Sequence, residues 1–198
     1  MKIYIDGCSM TYGQGLPREK SIGALFKDVG LHEFVVDKSR PGKSNNAIAY
    51  DAWENRDLFD VYILGFTYAN RTYIKFRDQD IDLHLNSTFN FDYQKLNDKI
   101  LENVCSDLHQ AHYSLYDNNF YKKSNDMIVD TTIAKLTLKN KIVVPFSWEY
   151  RATDYKIFYP VYGLDHRISK TDHHLNEKGT RHLFDNLQLL LLELRQNE

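Results

Sequence analysis

Apolar residues fall in short runs that stop at turn residues, and the runs are separated by stretches of helical periodicity. Lys2–Asp6, Glu33–Asp37, Asp60–Phe66 and Lys141–Phe146 are such runs, with Tyr155–Tyr159 as a weaker fifth. They read as strands, and YILGF and IVVPF are apolar on both faces, as strands of a covered parallel sheet are. Between them, Ser21–Val29 carries apolar residues at 22, 25, 26 and 29. Asn45–Trp53 puts Ile48, Ala49, Ala52 and Trp53 on one helical face, with Ser44 placed to cap it. Leu96–Leu115 and Asp126–Leu138 read as further helices. The clearest helix is Glu177–Arg195, where Leu183, Phe184, Leu187, Leu190, Leu191 and Leu194 form one helically spaced stripe behind Asn176 as N-cap.

Strands alternating with helices predict an α/β fold, a three-layer α/β/α sandwich around a parallel sheet of about five strands. In such sheets ligands sit where strands end at their carboxyl edge. The loops Gly7–Gly15, Ser39–Asn46 and Thr67–Arg71 are therefore expected to carry the chemistry. Residues 67–126 are longer than one crossover requires and read as an insertion or lid. Within it, Arg77–Asn97 is polar and weakly periodic, suited to a lid, an oligomer contact or a long loop. No linker divides the chain, so residues 1–198 are read as one domain.

Composition narrows the function. A formal net charge of −2 leaves no basic stripe for nucleic acid. No apolar tract approaches the ~18 residues of a membrane span, and Ile3-Tyr4-Ile5 is too short a run for an export signal. Only two cysteines, Cys8 and Cys105, fit a reducing compartment, so the expected location is the cytoplasm. Aromatic residues reach 14%, which supplies packing area and also stacking platforms of the kind sugars use.

Three turns and one helix start concentrate the reactive side chains. Gly7-Cys8-Ser9 follows the first strand, Arg40-Pro41-Gly42-Lys43-Ser44 the second and Gly65-Phe66-Thr67 the third, while Asp172-His173-His174 precedes the last helix. These are the parts of acyl transfer. A serine hydroxyl needs a base, which histidine supplies, and the base needs an acceptor such as Asp172 to fix its tautomer. The developing oxyanion needs donors set in advance. The Ser9 and Gly42 N–H groups are candidates, with a side chain from the third loop, Thr67 or Asn70. Arg71 reads as a surface or lid residue rather than a substrate clamp. A metal reading is weaker. Asp165, His166, Asp172, His173 and His174 are possible ligands, but the i, i+4 histidine spacing of helical zinc sites is missing. The first loop lacks phosphate-loop and dinucleotide signatures, so neither metal nor cofactor is expected.

This ordered set resembles the SGNH (GDSL-type) hydrolase superfamily, serine esterases and acyltransferases built on a flavodoxin-like sheet. Gly7-Cys8-Ser9-Met10-Thr11-Tyr12-Gly13 is similar to its first block, Gly42 to its second, and Asp172-His173-His174 to its last. The resemblance implies Ser9 as nucleophile, His174 as base and Asp172 as its orienter. His173 is the local rival for the base. Two positions depart from the pattern. Cys8 stands where the block has aspartate, and Thr67 stands where the third block has the oxyanion asparagine. The expected function is a serine-dependent ester hydrolase or acyltransferase acting on a small O-acylated substrate, a carbohydrate among the candidates. The alternative is a non-catalytic binding or scaffold protein that keeps the fold. Leu189 and Leu192 lie off the main stripe of the last helix and offer an oligomer contact.

Overall fold

The computed structural model describes residues 1–76, 79–84 and 117–196. Four parallel strands form the central sheet: β1 (Lys2–Gly7), β2 (Phe34–Asp37), β3 (Val61–Phe66) and β6 (Ile142–Ser147), in the order β2-β1-β3-β6. A separate antiparallel hairpin pairs β4 (Arg71–Phe76) with β5 (Gln79–His84). The helices are α1 (Ser9–Tyr12), α2 (Ile22–Asp28), α3 (Asn45–Glu54), α4 (Asn118–Thr137) and α5 (Glu177–Gln196).

The alternation of side chains along each strand builds the three layers. Ile3, Ile5, Val61, Ile63, Val144 and Phe146 point to one face and pack on α2 and α5 through Phe26, Leu183, Phe184 and Leu187. Tyr4, Tyr62, Leu64 and Phe66 point to the other and meet Ile48 and Ala52 of α3 and Val129, Ile133 and Leu136 of α4. Every residue of β3 is buried, as a strand covered on both faces requires. The predicted stripe of α5 holds at Leu183, Phe184, Leu187 and Leu191, which are buried, while Leu190 is half-buried and Leu194 is exposed in the last turn. Ser44 caps α3 by accepting the Ala47 N–H at 3.3 Å, and Asn176 accepts the Gly179 N–H at 3.0 Å at the start of α5.

Three expectations change. The fifth strand is reduced to one bridge between Phe146 and Phe158. The cause is local. The Ser147 N–H donates to Phe158 across that edge, so the residue two before it should do the same, and it is Pro145, which has no N–H. Helix α4 begins at Asn118, eight residues before the expected start, because the Asp117 carboxylate caps it through the Phe120 N–H at 3.0 Å. The β4–β5 hairpin occupies part of the stretch expected to be lid or loop. The expected helix Leu96–Leu115 lies outside the described residues.

Candidate active site

Strand β1 sits inside the sheet, with β2 on one side and β3 on the other. The chain thus reverses direction across the sheet at β1, which opens a crevice at the carboxyl ends of β1 and β3. Three loops line this rim. Gly7 pairs in register with Gly65. A Cβ on either would overlap the Thr11 hydroxyl, so β1 must end in glycine and β3 must carry one at its penultimate position for α1 to tuck beneath the rim. The second loop is drawn alongside the first by the Lys38 N–H on Ile5 O at 2.8 Å and the Arg40 N–H on Gly7 O at 3.1 Å. Its turn needs Gly42, whose φ of 79° lies in the left-handed region.

The last loop arrives from far along the sequence. Arg167 and Leu175 form an antiparallel bridge, and Asn176 ties the loop shut by donating to Asp165 O at 2.8 Å and Arg167 O at 3.0 Å. Inside this closed loop the Asp172 carboxylate accepts the His174 N–H at 3.0 Å and contacts His174 Nδ1 at 2.7 Å. The opposite ring nitrogen, Nε2, lies 3.0 Å from Ser9 Oγ. Serine, imidazole and carboxylate are therefore in one line across 165 residues of sequence. Hydrogen bonds from the His174 backbone and ring hold the Asp172 carboxyl below the usual carboxylate range, so it stays ionised and accepts a hydrogen bond from Nδ1–H. Nε2 is then the acceptor that faces the Ser9 hydroxyl. The ring of His173 turns elsewhere: Arg167 Nη1 donates to its Nδ1 at 2.6 Å.

The other predicted residues are placed less uniformly. Thr67 is buried, and Asn45 clamps its backbone on both sides, accepting its N–H at 2.7 Å and donating to its carbonyl at 2.9 Å. Its hydroxyl has no hydrogen-bond partner among the described residues. Asn70 stands half-buried just before β4, beyond a turn fixed by Glu149 on the Ala69 N–H at 2.9 Å. Cys8 is a buried free thiol at the N-cap of α1.

Two polar networks around the rim were not read from the sequence. Arg151 is fully buried and donates to Thr67 O, to Ser147 Oγ at 3.0 Å and to Asp126 at 3.2 Å, which braces the third loop from behind. Under the second loop, Lys43 Nζ lies 2.7 Å from both oxygens of Asp6 and 2.5 Å from Asp51, and Tyr4 donates its hydroxyl to Asp6 at 3.0 Å. The lysine immediately after Gly42 is thus sealed inside the fold. The only sequence hint was Asp6 on the same strand face as Tyr4, a charge at a core position.

A cavity of about 170 Å³ is lined by Met10 and His173, the chain neighbours of Ser9 and His174, and by Tyr68, Trp148, Tyr162 and Arg167 among others. A larger groove of about 480 Å³ runs between α3 and α4, and none of the candidate site residues lines it.

No protein-family model matches the sequence, and no curated protein matches it. Solved structures do. The psychrotrophic esterase EstA from Pseudoalteromonas sp., in a structure inhibited by monoethylphosphonate, matches with a TM-score of 0.53 at 12% identity, over 100% of this chain and 99% of that one. TesA matches with a TM-score of 0.46 at 11% identity, over 98% and 99%. A lipolytic protein of the G-D-S-L family from Desulfitobacterium hafniense DCB-2 matches with a TM-score of 0.40 at 14% identity, over 94% and 97%. At such identities the likeness is one of fold. The fold this chain shares with EstA is the α/β arrangement of helices around a parallel sheet that the sequence predicts.

Proposed function

We propose that the protein is a serine-dependent ester hydrolase or acyltransferase, with Ser9 as nucleophile, His174 as general base and Asp172 as the group that orients it. The observation that carries this reading is the 3.0 Å contact between Ser9 Oγ and His174 Nε2, backed by Asp172 on Nδ1 at 2.7 Å. Ser9 Oγ attacks the ester carbonyl as its proton passes to Nε2. The oxyanion is met by the N–H groups of Ser9 and Gly42, with the buried Thr67 hydroxyl or Asn70 as the third donor. The imidazolium then returns the proton to the leaving alkoxide, which departs as the alcohol and leaves an acyl-serine. Water or an acceptor alcohol attacks that ester, its proton goes to His174, and Ser9 is released with a free acid or a new ester.

The substrate is a small O-acylated molecule. A carbohydrate is among the candidates for its alcohol part, on the 14% of aromatic residues in the sequence. No helix among the described residues is long and apolar enough to cross a membrane. The cytoplasm is the proposed location, on the two cysteines of the sequence. The exposed Leu189 and Leu192 of α5 are the surface through which it would pair. A fluorophosphonate probe tests the central claim. It should label Ser9, located by peptide mapping, and block hydrolysis of 4-nitrophenyl acetate, while Ser9→Ala neither labels nor turns over. Labelling elsewhere with full turnover by Ser9→Ala would refute the assignment, and no turnover with no labelling would favour a non-catalytic role.

A further inference from the structure

The cavity lined by Met10 and His173 is rich in hydrogen-bond donors and poor in acceptors. Among the described residues Arg167 lines it, and no carboxylate does. The one side-chain hydrogen bond of Arg167 among the described residues goes to a ring nitrogen of His173, which neutralises no charge. Trp148 and Tyr162 also line the cavity, and the Trp148 Nε1–H and the Tyr162 hydroxyl are buried with no partner among the described residues. A buried donor left without an acceptor is costly, and its usual explanation is a ligand or water that supplies one.

A second guanidinium stands behind the same wall. Arg71 lies 5.9 Å from the ring centroid of Tyr68, and Tyr68 lines the cavity. Arg71 Nε and Nη1 are buried without a hydrogen-bond partner among the described residues. Glu149, a carboxylate close enough to act on Tyr68, is already engaged by the Ala69 N–H at 2.9 Å and by Arg151 at 3.9 Å. The residue that reads as a surface or lid arginine in the sequence is therefore turned inward, beside the aromatic edge of the site.

We propose that this cavity is an anion subsite: the ester carries a carboxylate or phosphate on a short arm, held by Arg167 with the Trp148 Nε1–H and the Tyr162 hydroxyl, while Arg71 adds positive charge from the far side of Tyr68. The volume of 170 Å³ sets the length of the arm. It has room for roughly five water-sized groups, enough for a two- or three-carbon arm with its charged end but not for a fatty chain. The charge also steers the substrate toward Ser9 along a positive wall. This inference rests on Ser9 as nucleophile for its catalytic consequence, but the binding it requires does not.

Two matched pairs of esters test it. 4-Nitrophenyl hemisuccinate against 4-nitrophenyl butyrate places the charge on the acyl arm, and 3-acetoxybenzoate against 3-acetoxybenzamide places it on the alcohol arm. The anionic member of one pair should be favoured in kcat/KM by about tenfold or more, and the pair that shows the preference identifies the arm. The preference should shrink toward parity in Arg167→Gln and in Arg71→Gln, return in part in the Arg→Lys variants, and weaken with added salt. Thermal melts of each variant check the fold. Equal turnover within both pairs overturns the proposal, as does a preference that survives both arginine substitutions. If no ester is turned over, Ser9 as nucleophile fails on its own, and calorimetry on Ser9→Ala decides the subsite. Succinate binding in preference to succinamide, lost on adding Arg167→Gln, upholds it, and equal or absent binding of the two sinks it.

Discussion

Two acid–base clusters flank the end of β1, and they use the same kinds of contact to opposite ends. At the rim, Ser9, His174 and Asp172 are joined at 3.0 and 2.7 Å, with 26% of the His174 side chain and 45% of the Asp172 side chain exposed. One strand face away, Tyr4, Asp6, Lys43 and Asp51 are joined at 3.0, 2.7 and 2.5 Å, and the Asp6 and Lys43 side chains are fully buried. The first cluster touches water and can receive a substrate. The second is sealed at Asp6 and Lys43 and meets water only through Asp51 at its edge, with no hydroxyl aimed outward. Short contacts between titratable groups therefore do not by themselves mark chemistry. What separates the two is access, and a hydroxyl positioned to attack. The buried cluster instead holds the second loop: Lys43 follows Gly42 directly and is anchored to β1 through Asp6 and to α3 through Asp51.

The largest expected effect breaks the rim cluster. His174→Ala should lower kcat on 4-nitrophenyl acetate by about 10³-fold or more, since members of such a triad act as a unit. The same variant should melt within a few degrees of the wild type, because His174 is only half-buried. A rate within tenfold of wild type would remove His174 from the mechanism and reopen the case for His173.

Breaking the buried cluster should reverse that pattern. Lys43→Met leaves the Asp6 carboxylate sealed without its cation, a loss of about 3–5 kcal/mol by analogy with other buried pairs. For a chain of this length that is a fall of roughly 6–20 °C in melting temperature. Asp6 has an escape, because it can take up a proton. The destabilisation should therefore be larger at pH 8 than at pH 5. Activity should fall only in step with the folded fraction, measured by circular dichroism on the same samples. Lost activity in a variant that melts like wild type would make Lys43 part of the chemistry.

The two clusters also differ in how far the sequence reveals them. Ser9, Asp172 and His174 are legible because each sits at a chain reversal whose local pattern announces it, a glycine after an apolar run or an aspartate just before an amphipathic helix. Strands β1, β3 and β6 and helices α2, α3 and α5 are legible for the same reason: their signal is local and periodic. The Asp6–Lys43 pair has no such signal. Its partners are 37 residues apart, and a lysine in Arg-Pro-Gly-Lys-Ser reads as solvated. The bracing of Thr67 by Arg151 spans 84 residues and is equally silent. The β4–β5 hairpin failed differently. Ile74-Lys75-Phe76 and Ile81-Asp82-Leu83 alternate as strand residues should, but each alternation is short and the wholly polar Arg77-Asp78-Gln79-Asp80 separates them, so the stretch reads as polar and weakly periodic. The fifth strand failed on a single missing N–H at Pro145, which a propensity reading of Tyr155–Tyr159 does not register.

The smallest expected effect asks what charge state the buried cluster prefers. Burial pushes Asp6 up to about 6, against the pull of Lys43 in the other direction. Between its ordinary value of 3.8 and about 6, the folded protein holds a proton that the unfolded chain has released. The sign follows. Asp6 contributes stability that is complete below the unfolded value and is lost as the pH rises through about 6. Asp6→Asn carries no such proton, and the amide still accepts from the Gly7 N–H. The urea stability of wild type relative to Asp6→Asn should therefore decline from pH 4.5 to 7. The decline should flatten above that, where both folded and unfolded Asp6 are ionised. A difference that grows with pH instead would mean that the Lys43 ammonium, rather than burial, sets the protonation of Asp6. The cluster would then be an ion pair even at pH 4.5, and the second loop would be held by charge at every pH at which the protein folds.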